Sequence, residues 1–184
     1  MKRKVIVLLA DGSEETEAVF CIDLLRRAGL DVIVASLGNK DIVLCSRDVK
    51  IQADMELSDF KDLPDAIVLP GGSKGAENLA NSQEVLNLIN RCFDKKKIVA
   101  AICASPAVVL SKTKVLDNKK ATCYPGSQVN FKDTTTYVDE EVVVDENVIT
   151  SKGPGTAAYF ALEIIKHLRG ENVADTVKKK ALIK

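Results

Sequence analysis

The chain is poor in several groups that commonly carry chemistry. It has one histidine, His167, in 184 residues. A Cys–His dyad would need that residue, yet it follows Ile164, Ile165 and Lys166 near the end of a helical pattern, where a histidine complements the helix C-terminus. Papain-like chemistry is therefore not expected. An excess of one charge is lacking too: Lys plus Arg number 26, and so do Asp plus Glu. That balance gives no reason to expect a nucleic-acid or membrane-surface partner. The short Lys178-Lys179-Lys180 run reads as a solvated helix end. Long apolar runs are absent. The one that follows Met1-Lys2-Arg3-Lys4 stops at Asp11, too short for a signal-peptide core or a bilayer span. The five cysteines (Cys21, Cys45, Cys92, Cys103 and Cys123) contain no C-x-x-C pair. An odd, widely spaced set excludes a disulfide framework and a recognisable zinc site, and it suits a reducing compartment. A cytoplasmic protein that needs no cofactor or metal is expected.

What is present is an alternation of apolar runs with helical patterns, the signature of a parallel sheet covered on both faces. Residues 5–10 read as a strand, 14–28 as a helix closed by Gly29, and 32–37 as a second strand. Residues 42–45 and 49–52 read as a short hairpin around Ser46-Arg47-Asp48. A third core strand, 66–69, ends in Pro70-Gly71-Gly72, and a helix over about 83–93 leads to a strand at 98–102. A helix follows Cys103, then strands at 121–123, 136–138, 142–144 and 148–150. Gly153-Pro154-Gly155-Thr156 opens a helix to Leu168, and 173–179 is a last short one. No repeat or linker interrupts the pattern, so one doubly wound α/β domain over 1–184 is expected. Ligands of such sheets bind beyond the carboxyl ends of the strands. The Asp11-Gly12-Ser13 turn, the Pro70-Gly71-Gly72 turn and Cys103 all fall there.

The stretch Ile98-Val-Ala-Ala-Ile-Cys103-Ala-Ser-Pro-Ala carries the most information. A strand runs into a cysteine and then into a helix with no loop between, flanked by the small residues Ala101 and Ser105. Such a tight turn presents its side chain at the top of a sheet. A thiol there faces the N-terminal end of a helix, which favours the thiolate. The sulfur is expected to be accessible, and the backbone N–H groups of Gly72 and Ala104 to meet above it as an oxyanion hole. Cys21, Cys92 and Cys123 read as core residues.

The first helix supplies an acid. Cys21, Leu24, Leu25 and Ala28 form its apolar stripe, and Glu17 lies one turn before Cys21 on that stripe. Glu15 points away from it, and Glu14 sits in the first turn, where a carboxylate complements the dipole. A buried Glu17 would keep its proton and donate it to the sulfur, so that the two groups titrate as a coupled pair.

With these residues in view, the chain resembles the ThiJ/PfpI superfamily, and within it the branch of the parkinsonism-associated protein deglycase. The resemblance rests on Ala10-Asp-Gly-Ser-Glu-Glu-Thr-Glu17, Asp23-Leu-Leu-Arg-Arg-Ala-Gly29 and Cys45-Ser-Arg-Asp-Val49. It continues through Val68-Leu-Pro-Gly-Gly72, Ala100-Ala-Ile-Cys-Ala104 and Thr150-Ser-Lys-Gly-Pro-Gly-Thr156. It implies a flavodoxin-like three-layer sandwich and a homodimer, with Cys103 reactive and Glu17 its protonated partner. It further implies that Gly71, Gly72 and Ala104 border the oxyanion site, that Arg47 attracts anions, and that Arg27 joins it from the second subunit. Many relatives carry a histidine where this chain has Tyr124. Proton transfer by Glu17 survives that change, whereas any histidine-dependent mechanism, proteolysis included, does not.

Two functions are expected from the same sulfur. The first is a cofactor-independent glyoxalase or deglycase acting on small reactive carbonyls, or on their adducts with protein and nucleotide amines. The second is an oxidative-stress sensor or redox-regulated chaperone that uses oxidation of Cys103.

Overall fold

Five residues of the first apolar run, with Lys4 before them, make a central strand because its neighbours on both sides are strands of the same kind. The structure, a computed structural model, describes residues 2–38 and 41–184. β1 (Lys4–Leu9) pairs in parallel with β2 (Asp31–Ser36) on one side. On the other side it pairs in parallel with β6 (Ala66–Leu69). β7 (Ile98–Ile102) extends the sheet beyond β6, and β11 (Val148–Ser151) beyond β7, both in parallel. β10 (Val142–Asp145) closes that edge antiparallel, and the two-residue β5 (Met55–Glu56) closes the other. The order is β10-β11-β7-β6-β1-β2-β5. Two small pairs lie outside the sheet: β3 (Ile42–Leu44) with β4 (Lys50–Gln52), and β8 (Lys120–Ala121) with β9 (Thr136–Tyr137).

The helices cover both faces, giving the flavodoxin-like three-layer sandwich. α1 (Glu15–Arg27) and α5 (Ala157–Arg169) pack on each other, with α6 (Glu171–Lys180) beside α5. α2 (Ser73–Ala80), α3 (Gln83–Asp94) and α4 (Ser105–Val108) form the other group. The core strands are apolar on both faces because both are covered: every residue of β6 and β7 is buried. Among the described residues no helix is long and apolar enough to cross a membrane.

Several boundaries differ from the sequence reading. α2 is an added helix directly after Gly72, where the mixed run Ser73-Lys-Gly-Ala-Glu-Asn-Leu-Ala hides its apolar face in Ala76, Leu79 and Ala80. Cys123 lies outside any strand, since β8 ends at Ala121. The helix after Cys103 is a single turn, continued by a 3₁₀ turn over Leu110–Lys112.

The chain passes from β1 to β2 in one direction and from β6 to β7 in the other. The change of direction opens a crevice between the carboxyl ends of β1 and β6. The loops after β1, β6 and β7 meet at that point.

Candidate active site

Cys103 follows β7 directly and takes φ +64°, a left-handed conformation unusual for a residue with a side chain. Two backbone bonds hold it there: its N–H donates to the Ser151 carbonyl at 2.9 Å, and its carbonyl accepts from the Tyr124 N–H at 2.8 Å. The Ser105 hydroxyl donates to the Pro70 carbonyl at 2.6 Å, tying the elbow to the loop after β6. That loop must contain glycine. A Cβ on Gly71 would fall 2.5 Å from the Cys103 Cβ and 2.9 Å from both its Sγ and Glu17 Oε2. Gly72 has φ +85°, and a Cβ there would lie 2.2 Å from the Gly12 carbonyl oxygen.

Glu17 reaches the sulfur from below. The Glu14 carboxylate caps α1 by accepting from the Glu17 N–H at 2.7 Å. The Glu14 N–H donates to the Gly71 carbonyl at 2.9 Å, and the Gly71 N–H donates to Glu17 Oε2 at 2.7 Å. The carboxyl is fully buried, and its Oε1 has no hydrogen-bond partner. An orphaned carboxylate oxygen in an apolar site favours the protonated acid. Burial accordingly pushes Glu17 up to about 7, against the Gly71 and Cys103 hydrogen bonds and with the help of Glu14.

The sulfur is less open than the strand–turn–helix pattern suggests. Cys103 is 9% exposed. Burial, and then repulsion from an ionised Glu17, push its thiol up to about 12, while the Gly72 and Ala104 N–H groups pull it down. A one-turn α4 adds only a small dipole, so the helix start alone does not ionise the thiol. The thiolate needs the proton to sit on Glu17. In that state the repulsion vanishes and the carboxyl becomes a donor. The two groups then share one proton across a wide pH range, and the apparent constants belong to the pair.

Above the sulfur lies a cavity of about 360 Å³, bordered by Glu14, Ser46, Arg47, Gly72, Ser73, Cys103, Ala104, Tyr124, Ser127 and Pro154. The chain that carries this elbow cysteine and buried acid has relatives among known proteins. Residues 3–167 match the DJ-1/PfpI family. The chain belongs to this family. It is 42% identical to Protein DJ-1 homolog B of Arabidopsis thaliana over 98% of its own length, but spans only 41% of that longer relative. Protein dj-1beta of Drosophila melanogaster is 41% identical and aligns over 100% of this chain and 98% of its own. The crystal structure of that protein superposes with a TM-score of 0.97, covering 100% of both chains. Glutathione-independent glyoxalase DJR-1.2 of Caenorhabditis elegans is 34% identical over 97% of this chain and 95% of its own. Membership of the DJ-1/PfpI family supports a DJ-1-type enzymatic or stress-related role.

Of the residues that the family resemblance singles out, Gly71, Gly72, Ala104, Arg47 and Tyr124 meet around Cys103. Tyr124 lies against Gly153, whose Cβ position is 3.4 Å from the ring and 4.0 Å from Glu17 Oε1. Arg27 does not join them within one chain. It ends α1, ten residues beyond Glu17, where it pairs with Asp23 at 2.6 Å. His167 donates its Nδ1–H to the Glu163 carbonyl at 2.9 Å, within α5, and takes no part in the cavity. Cys21, Cys92 and Cys123 are fully buried, and Cys45 is nearly so.

One residue at the site is missed by helical periodicity. Glu15 does not face solvent: it is 8% exposed and accepts hydrogen bonds from Ser46 and Arg47. Its partner is the turn between β3 and β4 and not the sheet, so the apolar stripe of α1 gives no sign of it.

Proposed function

We propose that the protein is a cytoplasmic, cofactor-independent enzyme that converts small α-oxoaldehydes such as methylglyoxal to 2-hydroxy acids. The observation that carries this reading is the fully buried carboxyl of Glu17, with one oxygen unpartnered and the other, like the Cys103 sulfur, 2.9 Å from the Cβ position of Gly71. The glyoxalase name of the Caenorhabditis elegans relative supports the choice of substrate class.

The Cys103 thiolate adds to the aldehyde carbon, forming a carbon–sulfur bond. The resulting oxyanion is held by the backbone donors and takes the Glu17 proton. Glu17, now a carboxylate, removes the hydrogen on that carbon and returns it to the neighbouring carbon through an enediol. The product of this internal transfer is a thioester. Water cleaves it, releasing the 2-hydroxy acid and restoring the thiolate, so the net reaction adds one water to methylglyoxal to give lactate. Aldehyde adducts on protein or nucleotide amines enter the same sequence with an amine as the leaving group.

The test is lactate formation from methylglyoxal, combined with the pH profile of Cys103 alkylation by iodoacetamide. Turnover is lost in Cys103→Ala and in Glu17→Gln. Alkylation in the wild type has a midpoint below the ordinary thiol value of 9.0, and Glu17→Gln raises it. Turnover unchanged in Cys103→Ala, or a thiol no faster than free cysteine at neutral pH, overturns the proposal.

The same donors suit an oxidised sulfur, which supports a second role in sensing peroxide. A sulfinate on Cys103 would accept from Gly72, Ala104 and the Glu17 hydroxyl. Mass spectrometry after mild peroxide then finds two added oxygens at Cys103 and none at Cys21, Cys92 or Cys123. We also propose a homodimer. Val19 and Phe20 on α1, with Ile42, Leu44 and Val49 of the adjoining hairpin, are large apolar residues left 38–53% exposed. A second copy packed on this face would cover them and carry its own Arg27 towards the pocket.

A further inference from the structure

One border of the Cys103 pocket is a two-residue turn, Ser46-Arg47, that donates to one buried carboxylate. Glu15 Oε2 accepts from the Ser46 hydroxyl at 2.8 Å, and Oε1 accepts from the Arg47 N–H at 2.8 Å. The surrounding turn is stitched to the loop after β1. The Ser46 N–H donates to the Ser13 carbonyl at 2.9 Å, and the Gly12 N–H donates to the Leu44 carbonyl at 2.8 Å. The chain then reverses through Asp48, at φ +64°. The guanidinium of Arg47 donates back to the Ser46 carbonyl at 3.1 Å and borders the cavity. Burial alone would raise the Glu15 carboxyl. Its own backbone N–H, Ser46 and Arg47 outweigh burial and hold it below the usual carboxylate range, so it is ionised at neutral pH.

Arg47 is itself exposed, and a long exposed side chain gains little from binding an anion unless its backbone is fixed beforehand. We infer that Glu15 is a positioning residue, which pins Ser46 and Arg47 so that the guanidinium stands ready at the rim of the Cys103 pocket for an oxyanion or carboxylate. This rests on the reading of the site given above, whose product is a carboxylate, and it adds a determinant of affinity distinct from the acid that moves the proton.

The experiment measures protection of Cys103 from iodoacetamide by sodium sulfate in the full-length protein, with ionic strength held constant by sodium chloride. Glu15→Gln can still accept from the Arg47 N–H and donate its N–H₂ to the Ser46 oxygen, so both contacts persist but lose the charge of the carboxylate. Reducing two charge-assisted hydrogen bonds to neutral ones weakens the hold on Arg47 by about tenfold. The half-protecting sulfate concentration rises by about that factor in Glu15→Gln and in Arg47→Ala. Because Glu15 acts through Arg47, the double variant is no weaker than Arg47→Ala alone. Ser46→Ala keeps the carboxylate and the Arg47 bond and shows a smaller rise, which guards against a collapsed hairpin in Glu15→Gln. Each half-protecting concentration is taken relative to that variant's own alkylation rate without sulfate, so a change in that rate does not enter the comparison. Additive penalties, an unchanged half-protecting concentration in Glu15→Gln, or no sulfate protection in the wild type would overturn the assignment. Absence of lactate formation removes the proposed reaction and leaves the sulfate result intact, so the two failures are told apart.

Discussion

Replacing Glu17 by glutamine changes how stability depends on pH, and the structure sets both sign and size. The carboxyl is fully buried and is carried from its ordinary 4.5 to about 7. In the unfolded chain it loses its proton near 4.5, so between 4.5 and about 7 the folded protein binds more protons. Stability must then fall as pH rises through this window. The contribution is whole below 4.5 and gone above about 7. At 1.36 kcal/mol per pH unit the full loss is roughly 3 kcal/mol, of which about 2.5 kcal/mol falls between pH 5 and pH 8. Linkage counts protons on the Glu17–Cys103 pair and is indifferent to which atom holds the last one. The prediction therefore tests the pair without assuming a thiolate. Urea unfolding of wild type and Glu17→Gln at the two pH values gives the answer by difference, and other titrating groups cancel. Wild type should lose about 2.5 kcal/mol relative to the variant on going from pH 5 to pH 8. A difference that stays flat, or that grows in favour of the wild type, refutes the reasoning, because it means that Glu17 ionises in the folded protein as easily as in water.

Two further outcomes follow from the packing around the pair, and a third from the exposed face of α1. Gly71→Ala drives a methyl group into Cys103 and Glu17, at a cost of about 1–3 kcal/mol in urea unfolding, and slows Cys103 alkylation; unchanged stability would show that the loop can move aside. The left-handed backbone at Cys103 makes Cys103→Gly more stable than Cys103→Ala by about 1 kcal/mol, and the reverse order of melting temperatures would contradict a strained elbow. Phe20→Asp places a charge in the exposed apolar face of α1 and shifts the proposed homodimer to monomer in analytical ultracentrifugation; a wild type that sediments as a monomer, or an unshifted dimer in the variant, would refute this contact.

Much of the fold was legible because the strands of this sheet are buried on both faces and therefore read as unbroken apolar runs. β6 begins and ends where its apolar run does, and β7 begins where its run does. α2 leaves little apolar signature because its buried face is made of Gly75, Ala76 and Ala80 with a single large residue, Leu79, among Ser73, Lys74, Glu77 and Asn78. The position of Cys103 follows from having no loop between strand and helix, but its low exposure does not. That depends on Tyr124 and the Gly71-Gly72 loop, which come from elsewhere in the chain.

The three carboxylates at the start of α1 show where periodicity stops informing. Glu17 falls on the stripe with Cys21 and Leu24, so its burial against the sheet follows from 3.6 residues per turn. Glu14 reads as a cap by position, and it is one. Glu15 turns away from the stripe, and by that rule it should meet water. It meets instead the N–H and hydroxyl groups of a hairpin turn more than thirty residues later. Helical spacing predicts which side chains face the helix's main partner; it is silent about a second partner on another side. A polar contact of this kind leaves no apolar signature, because a carboxylate that satisfies two backbone-fixed donors is written with the same letter as one in solvent. Glu17 is buried without enough donors and so holds a proton, whereas Glu15 is buried with enough of them and so holds a charge. Two residues apart, the same side chain is thereby split into an acid that can serve the sulfur and an anion that can hold an arginine in place.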